Sequence, residues 1–155
     1  MSDLHVQRLR AIRAEWEAAK VSVAFMISHQ HDQAVIQALA PPGAGNRVSI
    51  RDVERSRDGL EATYFIRLHA EFEGLLKEHL KTQHPHIRLP PNPKVDWLLS
   101  RVLKAEGIIV DPTLRKELDV IRAYRNDLAH HENPAVVLTF YVALSNLNRL
   151  VARLP

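Results

Sequence analysis

Apolar residues recur along this chain at alternating steps of three and four, the spacing that lines one face of an α-helix. From Ser2 to about Leu39 the stripe is His5, Leu9, Ile12, Trp16, Ala19, Val23 and Met26. Ser2 and Asp3 can cap its start, and the pattern leaves room for an interruption near Ser28. Residues 1–40 are therefore expected as a long N-terminal helix whose Trp16 and Phe25 need a partner surface. Pro41-Pro42-Gly43-Ala44-Gly45-Asn46 breaks it and predicts a loop at 41–48. A second helix is expected from about Ile50 or Val53 to His79, with Phe65, Leu68, Phe72, Leu75 and Leu76 inward. Residues 84–93 are punctuated by prolines and predict a rigid connection, suited to a lid or a dimer contact.

Lys94 to Glu106 predicts a short helix with Val95, Leu98, Leu99, Val102 and Leu103 inward and Gly107 as its stop. Asp111-Pro112 is an N-cap followed by proline at the first helical position, opening a fourth helix that runs to about His130. Asn133-Pro134 repeats the punctuation and is expected to open the last helix. There Val137, Phe140, Tyr141, Leu144, Leu147, Val151 and Leu154 form the inward stripe. A very short turn would make the last two helices antiparallel. The fold class is all-α: an antiparallel bundle of about five helices with no sheet.

A chain of 155 residues is expected to form one domain, 1–155, with a real core. The absence of cysteine excludes disulfides, zinc–thiolate sites and thiol catalysis, and fits a reducing cytoplasm. No apolar run suits a signal peptide or a membrane span, so a cytoplasmic protein with no membrane partner is expected. A net charge of +3 allows a nucleic-acid partner without requiring one. Arg47, Arg51 and Arg55 recur every four residues, as either a solvated mixed-charge face or a rail for RNA phosphates.

Charge changes the picture most in the fourth helix. Leu114, Leu118, Ile121 and Leu128 hold one helical stripe, and the member missing between Ile121 and Leu128 is Arg125. A buried, unpaired guanidinium costs several kcal/mol. Arg125 must therefore snorkel to water, pair with a carboxylate, or meet an anionic ligand or an interface. Histidine pairs offer no comparable signal. His29 and His31 would point about 200° apart on a helix and are expected to be solvated. His84 and His86 have no acidic residue nearby in sequence and no third ligand spaced for them. No metal site and no cofactor is expected.

Arg125-Asn126-Asp127-Leu128-Ala129-His130 resembles the R-x4-6-H motif of the HEPN superfamily, with Asn126 as the polar residue often found after the arginine. The motif closes the penultimate predicted helix, and the resemblance covers roughly residues 55–153. It implies a small helical bundle, in many members a metal-independent endoribonuclease with a composite site across a homodimer. By that likeness Arg125, His130 and Asn126 are the candidate catalytic residues. The stretch from Ala70 to Leu76 is similar to the helix that brings a carboxylate near the motif. Glu73 is thus the candidate companion of Arg125, with Glu71 behind it, and Gly74 would let another helix approach closely.

Positions five apart on a helix differ by about 140°, so Arg125 and His130 cannot share a ligand on an ideal helix. Either the helix ends before His130 or the site lies at an edge between subunits. His131, in line with Tyr124 and Leu128, is the geometric rival, while the family pattern selects His130. Asp127 either contacts substrate or makes a local cap or salt bridge; Asp127, Glu73 and His131 complete the candidate substrate-binding set. Imidazole and guanidinium suit attack of an RNA 2′-hydroxyl on its own phosphate. Toxins of this superfamily paired with nucleotidyltransferases often carry tyrosine two residues after the histidine. Glu132 stands there, so nucleotidylation is not expected. The expected function is cleavage of single-stranded RNA by a homodimer, in a toxin or defence system with an antitoxin or partner protein. The alternatives are a non-catalytic HEPN module that binds RNA or a protein, and a plain helical interaction protein.

Overall fold

The computed structural model describes residues 3–29, 31, 32, 34, 35, 38, 49–129 and 138–155. Among these the chain is all-helical. Five helices lie within the described residues with both ends defined: α1 (Asp3–Ser28), α2 (Ile50–Gln83), α3 (Val95–Ala105), α4 (Pro112–Ala129) and α5 (Phe140–Val151). None is long and apolar enough to cross a membrane. Their apolar stripes meet in one core, in which Phe65, Leu76, Leu98, Leu114 and Phe140 are almost wholly buried.

Local chemistry sets most of the helix ends. Ser49 caps α2 in a capping box: its hydroxyl oxygen accepts from the Asp52 N–H, while Asp52 accepts from the Ser49 N–H. Asp111 caps α4 by accepting from the Leu114 N–H at 2.9 Å, as Asp111-Pro112 predicts. Gly107 ends α3 with φ +65°, and the Ile108 N–H closes the turn on the Leu103 carbonyl at 2.9 Å. That left-handed geometry is cheap only for a residue without a Cβ. α1 stops at Ser28. There the Ser28 hydroxyl, the His29 ring Nδ1 and the His29 N–H all converge on the Phe25 carbonyl, at 2.8, 2.9 and 3.1 Å. Helical backbone resumes at Ala34, whose N–H donates to Asp32. The expected interruption thus falls where the pattern allowed it. The predicted loop at 41–48 lies outside the described residues.

Ion pairs report the helix directions. Arg8 pairs with Glu71 and Glu15 with Arg67, so α1 and α2 run antiparallel. Arg153 pairs with Asp111 and Arg149 with Glu117, so α4 and α5 do the same. Trp16 locks α1 to α5, stacking on Phe140 at 4.6 Å and meeting the edge of Tyr141 at 4.7 Å.

Several boundaries and faces differ from expectation. α2 continues past His79 to Gln83, because its C-terminal turn still buries Leu80 against the core. The last helix opens at Phe140 rather than at Asn133-Pro134, with Thr139 as N-cap and Leu138 non-helical. A residue of α2 reinforces that start: Glu61 accepts from the Phe140 N–H at 2.8 Å. The very short turn expected between α4 and α5 falls on residues outside the described ones. Asn133-Pro134 itself lies outside the described residues. Tyr141 is turned out to donate to Glu17, and Ala143 takes the buried position instead. Phe25 packs on its neighbour His29, ring centroids 4.1 Å apart, and stays 46% exposed.

Candidate functional site

α2, the start of α3 and the last two turns of α4 enclose a cleft of about 690 Å³. α2 contributes His69 and Glu73, one helical turn apart. α4 contributes Arg122, Arg125, Asn126 and Asp127, and Lys94 to Asp96 close the remaining side. The packing behind the cleft explains the placement. Tyr124, 8% exposed, fills the core position after Ile121 and meets the edge of Phe65 at 4.8 Å. Sequence spacing alone put Arg125 in that seam. The aromatic ring occupies it instead, which rotates Arg125 onto the flank, half-buried, at the cleft wall.

Arg125 donates from Nη1 to the Asn126 side-chain oxygen at 3.2 Å. Among the described residues no carboxylate lies within ion-pair distance of it, whereas its neighbour Arg122 pairs with Asp96 and Asp119. Glu73 lines the same cleft, but its ion pair is with Lys77, at 2.6 Å. Glu71 does not stand behind Glu73: it faces α1 and pairs with Arg8. Asp127 lines the cleft one residue beyond Asn126. His130 and His131 lie outside the described residues, so the structure brings together Arg125, Asn126, Asp127 and Glu73 from the candidate set.

His69 is the cleft residue that sequence reasoning missed. It is 5% exposed, with Arg125 and Glu73 as its charged neighbours. Burial drives its pKa down to about 4, the nearby Arg125 guanidinium pushes in the same direction, and Glu73 opposes both. The ring is therefore neutral at pH 7. A signal was available: Phe65, His69, Phe72 and Leu76 follow the same three-and-four spacing, placing a histidine on the core-facing stripe.

A second gathering was also missed. His79, His84 and Glu106 come together where α2 and α3 end. His84 has no acidic residue nearby in sequence, but Glu106 reaches it from the end of α3 at 2.5 Å and reaches His79 at 2.7 Å. Of the basic ridge, Arg51 and Arg55 are exposed on the first turns of α2, and Arg47 lies outside the described residues. A concavity of about 420 Å³ beside Trp16, Val23 and Ile27 is mostly apolar and contains none of the motif residues.

No family model, curated protein or solved structure matches this chain. The chemistry of the cleft therefore carries the functional reading.

Proposed function

We propose that the Arg125 cleft binds the phosphate backbone of single-stranded RNA and that the chain is a metal-independent endoribonuclease of the HEPN type. One observation carries this reading: a half-buried guanidinium lines a cleft with no carboxylate at ion-pair distance among the described residues. A cation so placed is matched by an anionic ligand, and a planar guanidinium suits two phosphate oxygens. Lys94, at the N-cap of α3, puts a further cation on the facing side, beside the Arg122–Asp96 ion pair. Neutral His69 beside Arg125 adds no competing cation.

In this mechanism the RNA 2′-oxygen attacks its own phosphorus, and its proton passes to the His130 imidazole. The bond from phosphorus to the 5′-oxygen breaks, and the leaving oxygen takes a proton from solvent water. Arg125 stabilises the added charge on the phosphorane. Asn126 keeps its amide N–H groups for a phosphate oxygen or for orienting His130, because its oxygen already accepts from Arg125. A second copy of the chain, pairing through the exposed side of α4, would bring two motifs to one cleft. Such a protein fits a toxin or defence role in which an antitoxin or another protein covers the site.

The experiment is cleavage of single-stranded RNA in excess EDTA. The products should carry a cyclic phosphate and a 5′-hydroxyl, and DNA and 2′-O-methylated RNA should survive. Arg125→Ala and His130→Ala should each lower the rate by about two orders of magnitude or more, and His131→Ala should change it little. Cleavage that vanishes with EDTA and returns with a divalent ion, while circular dichroism shows the fold unchanged in EDTA, rejects the mechanism. A folded, RNA-binding but inactive protein would instead be a HEPN-type binding module.

A further inference from the structure

His79 and His84 are five residues apart, and on a continuous helix their side chains would diverge by about 140°. The chain leaves the helix at His84, whose φ of −130° and ψ of 58° swing its ring back over the last turn of α2. The turn closed by Gly107 sets Glu106 at the end of α3, facing the same point. As a result both imidazole Nε2 atoms approach one carboxylate oxygen, Glu106 Oε1, at 2.7 and 2.5 Å. The side chains are sequestered, at 3% exposure for His79, 18% for His84 and 13% for Glu106. The three ligand-type atoms lie within 4.8 Å of one another.

We propose that His79, His84 and Glu106 form a binding site for a divalent transition metal, zinc by preference, that ties the C-terminal end of α2 to that of α3. Two imidazoles and one carboxylate are a donor set that suits tetrahedral zinc, with the fourth position left to water or to His86. The His86 ring stands 5.9 Å from that of His84. Two helices end at this point, and the partial negative charge of their last carbonyls favours a cation there and disfavours a lone carboxylate. Zinc bonds of about 2.0–2.1 Å place tetrahedral ligand atoms roughly 3.3 Å apart. The two nitrogen–oxygen contacts then need to open by less than about 1 Å, and His84, already outside the helix, is free of the constraint that holds a helical residue. The site lies roughly 15 Å along α2 from His69, ten residues at 1.5 Å each. It is independent of the RNA-cleavage reading.

The test is titration of the full, tag-free, metal-stripped chain with zinc chloride by calorimetry. Cobalt(II) serves as a spectroscopic probe of tetrahedral coordination. One zinc per chain should bind with micromolar or tighter affinity, and melting should move to higher temperature as zinc is added. His84→Ala and Glu106→Gln, both at partly exposed positions, should each weaken binding at least tenfold, about 1.4 kcal/mol. Circular dichroism checks that both variants remain folded. The double variant His29→Ala/His31→Ala should bind as the parent does. No saturable uptake by the parent chain, or parental affinity in either His84→Ala or Glu106→Gln, would overturn the proposal.

Discussion

Acidification should weaken this fold through His69, and the size of the effect follows from its burial. In the unfolded chain its imidazole titrates near its ordinary value of about 6.5. In the folded protein it titrates at about 4, chiefly because burial disfavours the charged ring and secondly because Arg125 repels the proton. The folded pKa is the lower one, so the unfolded chain takes up the proton first. This contribution to stability is complete above about pH 6.5, falls as pH drops from there to about 4, and is constant below. Each pH unit in that window costs up to about 1.4 kcal/mol, and the whole window about 3 kcal/mol. Urea denaturation of the parent chain and of His69→Gln at pH 7, 5.5 and 4 measures it. Glu17, Asp52, Glu106 and Asp111 have lowered pKa values and also lose stability on acidification. They are common to both proteins and cancel in the comparison. The parent should lose about 3 kcal/mol more than His69→Gln between pH 7 and pH 4. Arg125→Ala should raise the His69 pKa and shrink that difference, and Glu73→Gln should do the opposite. Parallel stability curves, or an NMR titration of His69 centred near 6.5, would refute the reasoning.

Truncation of Leu118 or Leu144 to alanine, at 6% and 5% exposure, should cost about 2–5 kcal/mol in chemical denaturation. A loss under about 1 kcal/mol would mean that α4 and α5 do not pack as described. Glu61→Ala removes the acceptor for the Phe140 N–H and should destabilise by about 1–2 kcal/mol, with α5 amide protection falling first in hydrogen exchange. Light scattering at micromolar concentration should report a dimer. A persistent 17.7 kDa monomer that still cleaves RNA would discard the composite site.

Much of the architecture is written locally in the sequence. Five helices, the cap at Asp111, the stop at Gly107 and the weak point near Ser28 each depend on a few neighbouring residues, so the sequence is enough to place them. The inward stripes of α2 and α3 were legible for the same reason. The Arg125 motif was equally visible as a charge breaking an apolar rhythm. Three things needed the tertiary structure. Tyr124 rather than Arg125 fills the seam, because the edge of Phe65, nearly sixty residues earlier, offers a ring-shaped space that periodicity does not encode. His69 loses most of its proton affinity only when α3 and α4 close over α2 and remove its water. Glu106 meets His79 and His84 from 27 and 22 residues away, and only the packing of two helix ends sets that distance. Periodicity and caps are properties of a single helix. Burial, pKa and side-chain convergence are properties of helices in contact, so the sequence determined the pieces and tertiary packing decided their chemistry.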